Sequence, residues 1–106
     1  MITTHVLDTA RGRPAAGIGV TLERWEGDWV PSGVGRTDAD GRCRDLFAGD
    51  RVPGTWRITF AVEDYFGPEP HFYPTVEITF SVADPTQHFH VPLLLAPFGY
   101  STYRGS

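Results

Sequence analysis

The sequence predicts an all-β fold, a sandwich of two β-sheets formed by a single domain that spans residues 1–106. Three observations support this class. A length of 106 residues suits one domain with one core. The 12 glycines and 9 prolines leave little room for long helices. Several segments alternate apolar and polar residues, which is the pattern of a strand with one buried face.

Each element follows from local pattern and turn chemistry. Alternation over 18–23, 56–63 and 75–82, with many β-branched and aromatic residues, predicts three clear strands. Weaker patterns predict strands over 3–8, 29–37, 88–95 and 99–103, and a very short strand after Gly41. Residues 63–66 predict one helical turn, ended by Gly67 and Pro68. Reversals are expected at 11–14, 26–28, 38–41 and 84–85. Seven or eight short strands in about 100 residues are typical of a β-sandwich.

Charge and cysteine content exclude several classes of function. A net charge of −4 offers no basic surface for nucleic acid. The longest apolar run, 93–96, ends at Pro97 and is far shorter than the roughly 20 residues of a membrane span. Cys43 is the only cysteine, so no intrachain disulfide can form, and the first residues lack a basic and then apolar leader. We therefore expect a cytoplasmic protein that binds neither nucleic acid nor membrane.

Strand parity indicates which side chains leave the core. In the strand 88–95, the odd positions form an apolar row, so His88, His90, Pro92 and Leu94 share the opposite face. In the first strand, Thr3, His5 and Leu7 likewise face away from Ile2, Thr4 and Val6. Leucine and proline on an outer face suggest that another subunit covers this sheet. His5 and His90 are therefore predicted to line one covered surface.

Other interpretations of these residues remain open at this stage. His88 and His90 can begin a zinc site with His5 as a third ligand, but no second cysteine and no paired acidic residue supports it, so no metal or cofactor is predicted. The segment 38–41 lacks the later acidic ligands of a calcium loop and predicts a tight turn. Cys43 lies between Arg42 and Arg44, which can lower a thiol pKa, but an ordinary strand residue is the simpler interpretation.

Four segments carry a resemblance to a known family. The sequence reads THVLD at 4–8, RGRPA at 11–15, TDADGR at 37–42 and HFHVPLLLAPFGYSTYRGS at 88–106. These segments resemble sequences of the transthyretin superfamily, and the segment 88–106 resembles its 5-hydroxyisourate hydrolase branch. The resemblance runs from Thr3 to Ser106, and residues 23–70 match mainly in pattern. The terminal Tyr-Arg-Gly-Ser is its most specific part.

The resemblance implies a transthyretin-like sandwich of two four-stranded sheets with one short helix. It further implies a homotetramer and hydrolysis of 5-hydroxyisourate to 2-oxo-4-hydroxy-4-carboxy-5-ureidoimidazoline, in urate catabolism, without a cofactor. Carried over by position, the catalytic residues are His5, Arg42, His90 and Ser106. The resemblance likewise assigns substrate binding to His5, Arg42, Tyr103 and Ser106. The hormone-carrier branch of the superfamily has neither these two histidines, nor this arginine, nor this terminus.

The chemistry of these side chains agrees with ring opening by water. A histidine is suited to deprotonate water near neutral pH, and either His5 or His90 can serve, with the other orienting the water or protonating the leaving nitrogen. Arg42 offers a planar set of donors for an oxyanion. Two alternatives stay open: a carrier of an apolar aromatic ligand on the same fold, and a sandwich module without a pocket.

Overall fold

The fold was analysed in a computed structural model of the chain, which describes residues 1–47 and 53–105, without the side chain of Asp45. In chain order, the elements of these residues are β1 (Ile2–Asp8), β2 (Arg13–Pro14), β3 (Gly19–Trp25), β4 (Trp29–Arg36), β5 (Arg42–Phe47), β6 (Gly54–Phe60), α1 (Val62–Phe66), β7 (Val76–Val82), β8 (Phe89–Ala96) and β9 (Gly99–Thr102).

The first sheet has β1 at its centre. Along one edge β1 pairs in parallel with β8 over its whole length, from Ile2 opposite Phe89 to Asp8 opposite Leu95. Its other edge is shared: β5 pairs antiparallel with the first half, and the short β2 pairs with the second half. Strand β9 continues the sheet beyond β8 as an antiparallel hairpin partner. The first sheet therefore has five strands instead of the expected four. It is four strands wide at the β2 end, where β9 pairs with β8, and three strands wide at the β5 end.

The second sheet has the order β4-β3-β6-β7, with antiparallel pairing throughout. Its inner face packs on the inner face of the first sheet, because strand alternation buries every second residue. From the second sheet, the core takes Val20, Leu22, Trp56, Ile58 and Phe60. From the first sheet it takes Ile2, Val6, Phe89, Val91, Leu93 and Leu95.

The structure confirms the all-β sandwich of two sheets with one short helix and corrects several element bounds. The strand expected after Gly41 is a full β5, and the reversal expected at 11–14 also contains the two-residue β2. The strand predicted over 56–63 ends at Phe60, since Val62 already begins α1 and both Val62 and Phe66 are buried under it. The predicted strand ran too far because the alternation of apolar and polar residues continues into α1. One turn of an amphipathic helix also buries only some of its residues, so over so short a segment it resembles a strand.

Parity in β1 and β8 is confirmed, although two outer-face residues, Thr3 and Pro92, are buried. Phe89, Val91, Leu93 and Leu95 are buried in the core, as predicted. Pro92 lies on the outer face but is buried, because its short ring stands in a middle strand between β1 and β9. Within the described residues, no helix has the length and apolarity needed to cross a membrane.

Candidate active site

The outer face of the first sheet brings the predicted residues together from three adjacent strands. His5 in β1 is the direct cross-strand partner of Arg42 in β5. On the other edge of β1, Thr3 is the partner of His90 in β8. Residues that are paired across neighbouring strands point to the same face, with Cβ atoms roughly 5 Å apart. The imidazoles and the guanidinium therefore lie on one surface.

A tight turn places Arg42 at the start of β5. The carboxylate of Asp38 accepts hydrogen bonds from the backbone N–H groups of Asp40 at 2.9 Å and Arg42 at 3.0 Å. The Arg42 hydrogen bond is the main reason that the pKa of Asp38 is lowered. Asp38 also pairs with Arg44 at 3.4 Å, whereas Arg42 forms no ion pair with any carboxylate of the described residues. The carboxylates of the described residues therefore leave the Arg42 guanidinium available for a ligand.

The turn also needs a glycine. Gly41 has a φ of +73°, and a Cβ on it would lie 2.4 Å from the carbonyl oxygen of Val6. The close approach brings the turn onto β1, where the N–H of Val6 donates to the carbonyl of Gly41 at 2.8 Å. Only glycine fits both the left-handed backbone and this contact.

The C-terminal segment returns along β8 to reach the same surface. Gly105 pairs with His90, and its N–H donates to the His90 carbonyl at 2.8 Å. Arg104 donates to Gln87 Oε1 at 2.8 Å and lies over the ring of Phe89, 4.9 Å from its centroid. These contacts hold the chain end against the sheet, so Tyr103 lies at the site although its side chain is 58% exposed.

Together these elements form a pocket of about 580 Å³. Among the described residues, its lining combines two arginines, three histidines and a tyrosine with a methionine and two threonines, and none of these carries a carboxylate: Met1, Thr3, Thr4, His5, Arg42, Arg44, His88, His90 and Tyr103. A lining rich in donors and in positive charge suits a small ligand with several carbonyl oxygens.

Hydrogen bonds fix the orientation of the imidazoles. Nε2 of His5 lies 2.9 Å from the carbonyl oxygen of Asp40, and because a carbonyl can only accept, Nε2 carries the proton. Neutral His5 then has its lone pair on Nδ1. Thr3 Oγ1 lies 2.8 Å from His90 Nδ1 and 2.8 Å from His88 Nε2. Among the described residues, Thr3 is the hydrogen-bond partner of the His90 ring, and Nε2 has none.

The environment of His90 keeps its imidazole neutral. Partial burial is the main cause that lowers its pKa from the ordinary value of 6.5, and the positive charge of Arg42 adds to it. The neighbouring imidazoles of His88 and His5 act electrostatically in the same direction. A neutral imidazole with a free nitrogen at physiological pH can accept a proton from water.

The structure brings His5, Arg42, His90 and Tyr103 into one pocket, whereas Ser106 lies outside the described residues. The three histidines do not form a metal site: in the part of the chain that the structure describes, no group of three or more His, Cys, Asp or Glu side chains is placed to hold an ion. Cys43 is a buried strand residue and faces the core instead of the pocket.

Sequence reasoning missed Thr3 and the contact that His88 makes with it. Parity placed Thr3 on the correct face, but its link to His90 depends on the parallel register of β1 and β8. Nothing in either segment encodes that register. A hydroxyl two residues from His5, on the same outer face, was the available signal.

The fold and the site together define a class of protein: an all-β sandwich with a pocket of imidazole and guanidinium groups on the outer face of one sheet. The model of the HIUase/Transthyretin family, in which HIUase denotes 5-hydroxyisourate hydrolase, matches residues 2–105. The chain belongs to this family.

Named relatives lie in both branches of the family. The chain is 46% identical to the 5-hydroxyisourate hydrolase of Caulobacter vibrioides, over 99% of this chain and 97% of that protein. It is 45% identical to the mouse (Mus musculus) 5-hydroxyisourate hydrolase, over 99% and 94%. The solved Klebsiella pneumoniae 5-hydroxyisourate hydrolase is 36% identical, with a TM-score of 0.86 and coverage of 99% and 98%. Sea bream transthyretin in complex with thyroxine is 27% identical, with a TM-score of 0.90 and coverage of 98% and 93%.

Proposed function

We propose that this protein hydrolyses 5-hydroxyisourate, opening the ring of this urate oxidation product. The observation that carries the proposal is the convergence of Arg42, His5 and His90 from three strands on one pocket. Full-length relatives that carry the hydrolase name support it. Overall shape does not separate the two branches, since a transthyretin has a TM-score of 0.90 and a hydrolase 0.86.

In the mechanism that we propose, His90 is the general base. Its Nε2 takes a proton from water, and the hydroxide adds to the acyl carbon of the substrate ring. Nδ1 of His5 accepts a hydrogen bond from the same water and orients it. When the ring C–N bond breaks, the proton held by His90 passes to the leaving nitrogen, so one water is added and the imidazole is neutral again.

Arg42 stabilises the transition state. As hydroxide adds, negative charge develops on the acyl oxygen, and a guanidinium without a carboxylate partner in the described residues can donate to it. Tyr103 contacts the substrate ring from the C-terminal segment. The role of Ser106 rests on the family resemblance alone.

The oligomeric state and location are part of the same proposal. We propose a homotetramer in which other copies cover the outer face of the first sheet, where half-buried Leu7 and Leu94 are paired across β1 and β8. A single, buried cysteine suits the reducing cytoplasm. The whole chain, 1–106, acts as one domain.

The test of the function follows the decay of 5-hydroxyisourate made in the cuvette from urate and urate oxidase. The protein is expected to accelerate the decay above the spontaneous rate. His90→Asn, His5→Asn and Arg42→Ala should each lower kcat/KM by roughly 10²-fold, the usual effect of losing a general base or an oxyanion donor.

The matched control is Arg13→Ala, which removes an exposed arginine of β2 outside the pocket and should leave the rate unchanged. No acceleration by the folded wild-type protein would disprove the function. The carrier alternative predicts tight binding of an aromatic ligand without turnover, which the same samples can test by calorimetry.

A further inference from the structure

A buried hydroxyl links the proposed base to a second histidine. Thr3 is 6% exposed, and its Oγ1 lies 2.8 Å from both His90 Nδ1 and His88 Nε2. Both distances are those of good hydrogen bonds. Thr3 lies in β1 and the two histidines in and just before β8, so the contact bridges two strands across their parallel register.

The number of available protons restricts the directions of the hydrogen bonds among Thr3, His88 and His90. A hydroxyl has one proton to donate and two lone pairs to accept with. With two imidazole nitrogens as partners, at least one of them must donate to Thr3. If His90 donates from Nδ1, the Thr3 hydroxyl is free to donate to His88 Nε2, and every group is satisfied. The reverse direction places the proton of His90 on Nε2 and removes its capacity to act as a base.

Two features of the pocket favour the first direction. Arg42, which forms no ion pair with a carboxylate of the described residues, brings positive charge to the pocket, and a positive charge favours a nitrogen lone pair over an N–H group on the side that faces it. His88 is exposed, so its remaining nitrogen, Nδ1, can carry a proton in contact with water, whereas His90 is half-buried.

We propose that Thr3 and His88 are positioning residues that hold His90 in the tautomer with the proton on Nδ1 and the lone pair on Nε2. Thr3 accepts from His90 Nδ1, and His88 accepts from Thr3 and thereby fixes the rotation of the hydroxyl. The tautomer of a histidine is set by the hydrogen bond that its other nitrogen makes. The inference rests on the proposed function, because the tautomer matters only if His90 is the base.

The tautomer can be measured without substrate. Long-range ¹H–¹⁵N spectra of the full chain at pH 8, with the His90 signals assigned by comparison with His90→Asn, report which ring nitrogen is protonated. We expect a protonated Nδ1 and an unprotonated Nε2 in the wild type and in Thr3→Ser, which keeps the hydroxyl. In Thr3→Val, which keeps the shape and removes the hydroxyl, the Nε2–H tautomer should appear.

Turnover is measured on the same variants. Thr3→Val should lower kcat by about tenfold with little change in KM, as expected for loss of a group that orients a catalytic histidine, and Thr3→Ser should restore most of the rate. His88→Ala should lower kcat by several-fold. Thr9→Val is the control, because Thr9 also lies next to β1 and its hydroxyl donates to a β8 carbonyl, that of Leu95, but outside the pocket.

Three outcomes would overturn the inference. An Nε2–H tautomer in the wild type would reverse the direction of the hydrogen bonds, and an unchanged tautomer in folded Thr3→Val would remove the role of Thr3. An unchanged kcat in His88→Ala would remove that of His88. Failure of the proposed function is distinguishable, since the protein would then lack turnover whatever tautomer the spectra report.

Discussion

At the scale of residues, the pocket consists of a few polar groups that the backbone and neighbouring side chains hold in defined states. His5 is fixed by a backbone carbonyl, His90 is held on Nδ1 by a buried hydroxyl, and Arg42 extends from a turn that neutralises Arg44 instead. Burial and the neighbouring Arg42 lower the pKa of His90, whereas the hydrogen bond with Thr3 orients its ring.

The lowered pKa of His90 predicts the pH dependence of the reaction. A general base works only when it is neutral, so with His90 as the proposed base kcat/KM should rise with pH through the pKa of His90. The midpoint of this rise should lie below 6.5, the ordinary pKa of histidine. The pH–rate profile of the wild type measures it.

An NMR titration of His90 in Arg42→Ala tests the cause. Removal of a positive neighbour should raise the pKa of His90 towards its ordinary value, although burial, the larger cause, remains. An activity limb centred above 6.5, or a His90 titration unaffected by the loss of Arg42, would contradict this explanation.

Gly105 is a second residue whose size matters. A Cβ on Gly105 would lie 2.5 Å from Cδ2 and 3.2 Å from Cγ of His90. Gly105→Ala should therefore displace the His90 ring or the chain end and lower kcat/KM by about tenfold or more, because small displacements of a catalytic group are costly. Gly99→Ala, whose added Cβ meets nothing within 4 Å, is the control. Equal rates in both variants would show that the contact does not position His90.

At the scale of elements, two tight connections place the site on a rigid sheet. The turn before β5 contributes Arg42, and the segment after β9 contributes Tyr103 and covers the edge of β8 near His90. Arg42 and Tyr103 therefore lie on short connections and not on long loops. Such placement on strands and short turns favours a preorganised pocket.

The turn glycine provides a prediction at this scale. Gly41→Ala should lower the free energy of unfolding by more than the ~1–2 kcal/mol of a left-handed alanine, since the new Cβ also clashes with the Val6 carbonyl. It should also lower kcat/KM, because the clash moves the start of β5. Urea denaturation and the decay assay measure the two effects.

Gly27→Ala isolates the backbone cost. Gly27 has a φ of +82° at the β3–β4 hairpin, and a Cβ there meets nothing within 4 Å. Gly27→Ala should lower the free energy of unfolding by less than Gly41→Ala does, and its kcat/KM should stay normal. Equal losses of stability would show that the approach of the turn to β1 has no energetic consequence.

At the scale of the whole molecule, the sandwich buries one face of the first sheet and leaves the proposed catalytic groups on the other. The apolar core therefore specifies the sheet without using His5, Arg42 or His90. The proposed tetramer would enclose that outer face and exclude bulk water from it, which strengthens the interaction of Arg42 with developing charge.

Assembly is tested by substitution on the outer face. Leu94→Asp should convert a species of four times the 11.8 kDa chain mass into smaller ones in sedimentation analysis, and should lower activity while the circular dichroism spectrum stays unchanged. Val34→Asp, a change at an apolar residue of β4 that is 76% exposed, should leave the assembly intact. A wild type that sediments as a monomer would disprove the tetramer.

The sequence by itself determined the fold class, most strands, the core row of β8 and the outward direction of His5 and His90. These are local properties, because the two-residue period of a strand fixes its faces wherever its partners lie. Family resemblance added Arg42 and Tyr103, which no local pattern distinguishes from other surface residues.

Only the tertiary structure decided how these residues meet. The parallel register of β1 with β8, the division of the other edge of β1 between β2 and β5, and the return of the chain end to His90 all join segments distant in sequence. Registry between such segments depends on packing of the complete core and not on either segment alone. The hydrogen bonds of Thr3, and with them the proposed state of His90, follow from that register.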